Sequence, residues 1–206
     1  RGVVDLRRTI RLSLGSGGDP INLSYKKQKR QRAKLVVLLD VSDSMNPYSA
    51  FLLKFTYVLK RYFREVVSFI FSTSLIEISE ILKAQRWSDA LRVLSQMTTG
   101  WSGGTRIGGS LKEFNRHYSG KLLSPETVLL ILSDGWDTEG PETLITELRK
   151  IKRRIGKLIW LNPLLGQEGY EPVTRAMNAA LPYIDVFASA HNLESLLELE
   201  RHLIKA

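Results

Sequence analysis

The 206 residues contain no cysteine. That excludes a disulfide framework, thiolate-bound zinc and a thiol nucleophile, and it permits a reducing compartment. Histidine is scarce: His117, His191 and His202 lie far apart, without the HExxH spacing of a zinc protease. Catalysis by His or Cys therefore has little to work with. No uninterrupted apolar run approaches the roughly 18 to 20 residues that a membrane span needs. The phosphate-cradling patterns GxxxxGK[ST] and GxGxxG are missing as well, and the glycines at Gly15, Gly17 and Gly18 have no strand and helix around them. A nucleotide site is not expected. The first residue is Arg1, with no initiator Met and no signal-peptide core, so the chain is expected to be a piece of a longer protein.

What is present is the composition of a soluble globular domain, 43% apolar and 25% charged, with no long Pro/Gly/Ser linker to divide it. The net charge of +9 is unevenly placed. Residues 1–35 hold ten Lys/Arg against Asp5 and Asp19, a net of +8, and the remaining 171 residues carry 20 basic and 19 acidic groups, a net of +1. The expected organisation is a basic N-terminal extension over 1–34, packing on or leading into a domain over 35–206. The run from Lys26 to Arg32 reads as a contact for RNA, an acidic partner or an anionic surface, or as a solvated strand edge whose cations discourage edge-to-edge pairing. The second reading is preferred, because no aromatic-interleaved groove accompanies the run.

Strands and helices alternate along the body. Leu35 to Leu39 and Thr127 to Leu132 are apolar runs of strand length, as expected for strands covered on both faces. A helix is predicted from Pro47, with Phe51, Phe55, Val58, Leu59 and Tyr62 at helical spacing. Further strands are predicted over 66–71, 75–82 (a half-exposed edge), 157–161 and 184–187. Helices are predicted over 87–97, 107–114, 141–154, 171–180 and 193–203. This order implies right-handed crossovers and an α/β, doubly wound, mostly parallel sheet with helices on both faces and one antiparallel edge strand.

In such sheets ligands sit beyond the carboxyl ends of the strands. The first apolar strand runs into Asp40, Ser42 and Ser44 at alternating positions. The strand at 127–132 runs into Ser133, Asp134, Gly135, Trp136 and Asp137. Between them, Trp101, Ser102, Gly103, Gly104, Thr105 and Arg106 put a hydroxyl after two glycines. Carboxylates and neutral hydroxyls, without imidazole or thiolate, suit a hard divalent cation, Mg²⁺, Mn²⁺ or Ca²⁺, and disfavour zinc and copper. Turn and helix capping explains each of these residues singly; the set favours a metal.

Asp40-x-Ser42-x-Ser44, the Gly-Gly-Thr105 loop and Ser-Asp134-Gly, in this order at successive strand ends, resemble the metal-ion-dependent adhesion site (MIDAS) of von Willebrand factor type A (VWA) domains. More narrowly the chain resembles the CoxE-like branch. The matching stretches are Asp5 to Thr9, Ser68 to Thr73, Trp101 to Gly108, Leu132 to Asp137 and Trp160 to Pro163, so the likeness extends over essentially the whole chain. The resemblance implies that Asp40, Ser42, Ser44, Thr105 and Asp134 surround a divalent cation, Mg²⁺ foremost. Asp43 stands where the motif commonly has Gly, and is expected to face solvent. Asp137 is expected to be a turn or cap residue. Trp101, Arg106, Trp136 and Asp43 are candidate partner-binding residues, Arg106 alternatively pairing with Asp137.

The resemblance further implies a non-catalytic adaptor in the cytoplasm, working with a MoxR-type AAA+ ATPase in the maturation of a metalloenzyme similar to molybdenum-containing CO dehydrogenase. Its target would present an acidic side chain to the metal. Two other readings stand beside it: a metal-assisted phosphohydrolase, for which no base or phosphate clamp is evident, and an RNA-binding arm in the basic segment.

Overall fold

The computed structural model describes residues 3–4, 25–26, 31–59, 63–84, 87–98, 104–165, 167, 169–172 and 174–191. Strand β1 (Val3–Val4) pairs antiparallel with β2 (Tyr25–Lys26) in a small separate sheet. The basic run at 26–32 lies mostly outside the described residues, as do Trp101 and the helix predicted over 193–203. No helix among the described residues is long and apolar enough to cross a membrane.

The main sheet contains β3 (Gln31–Asp40), β4 (Phe63–Phe71), β5 (Leu75–Glu77), β6 (Thr127–Leu132), β7 (Lys157–Asn162) and β8 (Val186–Ser189), in the order β5-β4-β3-β6-β7-β8. Only β5 pairs antiparallel; every other neighbour is parallel. The chain steps from β3 to one side, through β4 and β5, then returns to lay β6 on β3's other side. The carboxyl ends of β3 and β6 therefore flank the point where the winding reverses, which is the crevice such sheets use for ligands.

Continuous apolar runs make the central strands because both faces are covered. Leu35, Val37, Leu39, Val128, Leu130 and Leu132 belong to one core, whereas Val36, Leu38, Leu129 and Ile131 belong to the other. The first core is closed by α1 (Asn46–Leu59), α2 (Ser79–Ala84) and α3 (Trp87–Thr98). The second is closed by α4 (Ile107–His117), α6 (Pro141–Lys152) and α7 (Arg175–Ala180), with the short α5 (Ser119–Leu122) after α4. Each fully buried aliphatic side chain contributes about 1.5–3 kcal/mol, which fixes the register of the strands that carry the site.

Several element boundaries differ from the sequence reading; β4 begins at Phe63 rather than residue 66, and α4 runs on to His117. The first strand begins at Gln31 rather than Leu35 and ends at Asp40. The edge strand stops at Glu77, and 79–84 is helix: Ile78 and Leu82, both buried, stand one helical turn apart, and the backbone N–H of Leu82 donates to Ile78 O at 3.0 Å. The helix predicted from Glu171 starts at Arg175, because the Thr174 hydroxyl accepts from Met177 N at 3.1 Å and sets the cap there. The last predicted strand starts two residues late, at Val186, since Ile184 N is held by Leu181 O and the Asp185 carboxylate accepts from Leu158 N.

Candidate metal centre

Asp40 is the last residue of β3 and is fully buried. Its Oδ1 accepts from Ser42 N at 2.9 Å and its Oδ2 from the Ser133 hydroxyl at 2.7 Å, a bond that ties the end of β3 to the end of β6. Burial pushes the Asp40 carboxyl up to about 7. The hydrogen bonds from Ser42 and Ser133 pull it down, and the neighbouring charge of Asp134 pushes it up. Ser42 is buried, and its Oγ lies 3.2 Å from that of exposed Ser44. Ser42 thus links Asp40 to Ser44 within a single tight turn, closed by Met45 N donating to Ser42 O at 2.9 Å.

Asp134 arrives from β6. Its Oδ1 accepts from Trp136 N at 2.9 Å, while its Oδ2 is buried and has no hydrogen-bond partner. A buried carboxylate oxygen left unpaired costs on the order of 1–3 kcal/mol or more, so the site asks for a positive or hydrogen-bearing group at this atom. Gly135 turns the chain there with φ +79°, and a Cβ would meet Met177 Sδ at 2.7 Å.

Thr105 is buried and held from both sides. Its carbonyl accepts from Thr138 N and from the Thr138 hydroxyl, at 2.9 and 2.7 Å, and the flanking Gly104 O and Arg106 N bond to Ser72 at the end of β4. Gly104, at φ +83°, brings the backbone so close to Thr138 that a Cβ would sit 2.7 Å from its methyl. Among the described residues no hydrogen bond joins Thr105 to either carboxylate; the loop brings it to the same strand-end face.

The other candidates divide. Asp43 is exposed, its carboxylate 3.5 Å from Asn46 Nδ2. Asp137 caps α4: its oxygens accept from Ile107 N, Gly108 N and Glu139 N at 3.0–3.2 Å, and burial raises its pKa against the pull of those bonds. Arg106 does not pair with Asp137. Its guanidinium meets Glu139 Oε1 at 2.6 and 2.7 Å, because Asp137 is already occupied by backbone donors. Trp136 is 64% exposed beside the site.

Several supporting residues escaped the sequence reading. Ser133 is the bridge between the two strand ends, and its hydroxyl also accepts from Gly135 N at 3.0 Å. From β7, the Trp160 indole N–H donates to Ser133 O and the Asn162 amide to Asp134 O, both at 3.0 Å. Thr174, capping α7, donates to Gly135 O at 3.0 Å. Trp160 and Asn162 stand out in sequence only as part of a matching stretch; nothing local states what they hold.

Among the described residues no group of three or more His, Asp or Glu gathers around a common point. Two carboxylates, neutral hydroxyls and one orphaned buried oxygen fit a hard cation that is only partly neutralised by its own protein.

A profile of the family described as "VWA domain containing CoxE-like protein" matches residues 1–196. No curated protein matches the chain. Solved structures of the same fold include proximal thread matrix protein 1 from the mussel byssus with a zinc-occupied MIDAS motif (TM-score 0.54, 17% identity, 86% of this chain and 48% of that one). Others are a von Willebrand factor type A protein from Catenulispora acidiphila (TM-score 0.53, 13% identity, 88% and 42%) and an aerotolerance-related membrane protein from Bacteroides fragilis (TM-score 0.55, 12% identity, 84% and 100%). The chain spans about half the length of the mussel protein. Six strands in this order, with one antiparallel edge, and the match over 1–196 give one conclusion: the chain belongs to the CoxE-like family of VWA domains.

Proposed function

We propose that this domain is a non-catalytic adaptor that captures a partner through a divalent cation, Mg²⁺ foremost with Mn²⁺ or Ca²⁺ as substitutes, held by Asp40, Ser42, Ser44, Thr105 and Asp134. The observation that carries the reading is Asp134 Oδ2, buried without a partner on the same face as buried Asp40. The cation supplies an electrophilic position that an acidic side chain of a target can complete. Trp136, exposed beside the site, and Trp101 offer apolar contact to that target. The zinc-occupied MIDAS of the mussel protein supports a divalent ion in a domain of this fold.

Family membership extends the proposal to a cytoplasmic MoxR-type AAA+ ATPase as co-worker and to maturation of a metalloenzyme similar to CO dehydrogenase. The metal-assisted phosphohydrolase is disfavoured, since Arg106, the cation beside Thr105, is engaged by Glu139 rather than offered to a phosphoryl group. The test has two stages. Thermal unfolding of wild type and Asp40→Ala is followed with chelator and with each cation; binding adds about 2.7 kcal/mol at a hundredfold excess over Kd. Capture of the ATPase is then measured with the same two proteins. Stabilisation and capture that both need the metal and vanish in Asp40→Ala are the expected result. Capture that persists in chelator and in the variant would overturn the reading.

A further inference from the structure

The helices α4 and α6 pack side by side, each starting at a site loop and running back toward the amino ends of β6 and β7. Their carboxyl ends therefore lie at the pole of the domain opposite the candidate metal centre. Between them opens a cavity of about 520 Å³, lined by five cations, Lys112, Arg116, Lys150, Arg153 and Arg154, around one buried carboxylate, Glu147. The body of the chain is close to neutral, so such an excess of one sign in one place is local.

The floor of this cavity is hydrogen-bonded, and Glu147 is paired there. Glu147 Oε1 accepts from Lys150 Nζ and Oε2 from Asn115 Nδ2, at 2.6 and 2.7 Å. The Ser119 hydroxyl donates to Asn115 O at 2.7 Å and accepts from Arg154 Nη1 at 3.1 Å. The side chains of Lys112, Arg116 and Arg153 are exposed and make no hydrogen bond or ion pair with any described residue. Basic residues at helix carboxyl ends commonly just offset the helix dipole, but two such ends amount to about one negative charge together. Five cations less Glu147 and that one charge still leave an excess of about three.

We propose that this groove is a second docking site, for an acidic segment of a partner protein. The chemistry favours carboxylates spread along a chain over a compact phosphate. Helix carboxyl ends present carbonyls, so the site has none of the converging backbone N–H groups that hold a phosphate. Its available cations are spaced instead: Lys112 and Arg116 stand about 6 Å apart along α4, with Arg153 across the groove at the end of α6. With the metal face at the other pole, one domain can hold two partners at once. The site does not depend on the metal reading.

The test is fluorescence anisotropy of labelled octaglutamate with the full 206-residue chain in chelator, so that the metal face is silent. The double reversal Arg116→Glu/Arg153→Glu is expected to weaken binding about tenfold or more, and raising salt from about 0.15 M to about 0.5 M to weaken the wild type. The matched reversal Lys27→Glu/Arg30→Glu, in the basic N-terminal segment, is expected to change it less than about twofold. Asp134→Ala should bind octaglutamate as the wild type does, whatever it does to metal binding. Should the double reversal fail to fold, Lys112→Gln/Arg153→Gln serves in its place. Loss in the N-terminal reversal with retention in the groove variants overturns the proposal. So does displacement of the peptide by inorganic phosphate or an RNA oligomer at concentrations where free glutamate has no effect.

Discussion

Asp40 and Asp134 share a face but not an environment, and the burial of Asp40 sets how it answers pH. The Asp40 carboxyl, raised by burial from 3.8 to about 7, keeps its proton in the folded chain over a range where the unfolded chain has lost it. Its contribution to metal-free stability is therefore full below about pH 4 and is lost as pH rises through about 7. In the proposed metal site a cation would take the proton's place, so the rise in Tm produced by millimolar Mg²⁺ over chelator should grow between about pH 5 and about pH 8. A rise of equal size across that range would contradict this. Ser133 is the complementary case. Ser133→Ala leaves Asp40 Oδ2 and Gly135 N without their bonds. It should lower stability by about 1–3 kcal/mol in urea titrations done in chelator, and reduce the Mg²⁺-induced rise as well.

Elements hold these residues in place through their ends. Helix α4 has no side-chain cap of its own at Arg106; the carboxylate of Asp137, thirty residues on, receives its first N–H groups instead. Asp137→Ala should cost about 1–2 kcal/mol in chemical denaturation, and Asp137→Asn, which retains one acceptor oxygen, should cost less. Caps of this kind explain what could be seen in the sequence. The apolar runs at 35–39 and 127–132 announce buried strands, and the Asp and Ser residues after them announce the face where a ligand would sit. The stretch 75–82 misleads because its isoleucines alternate like a strand up to Ile78, where the buried pair switches to helical spacing. Ser133 is invisible as a bridge because its partner lies 93 residues away. The alternative pairing of Arg106 with Asp137 gives way to Glu139 because only the folded loop shows Asp137 already occupied by backbone donors.

At the scale of the molecule the central sheet separates two cores, while the candidate site occupies one rim. Phe114 packs edge-on against Phe69, with centroids 5.5 Å apart and planes at 86°, about 10 Å along α4 from the site loop. Phe114→Ala should lower stability by about 3–5 kcal/mol, yet the increment from Mg²⁺ should equal that of the wild type, because the two effects are independent. A lost increment would mean that the core sets the geometry of the rim. The same arrangement places two indoles in opposite surroundings: Trp160 is fully buried with its N–H bonded, and Trp136 stands 64% exposed at the rim. The domain thereby carries its own optical gauge. With Trp87 and Trp101 replaced by Phe so that only these two indoles emit, a partner settling on the proposed metal face should shield Trp136 from acrylamide and move its emission to shorter wavelength, with Trp160 as the internal reference; an acidic peptide seated at the opposite pole should leave both signals where they were.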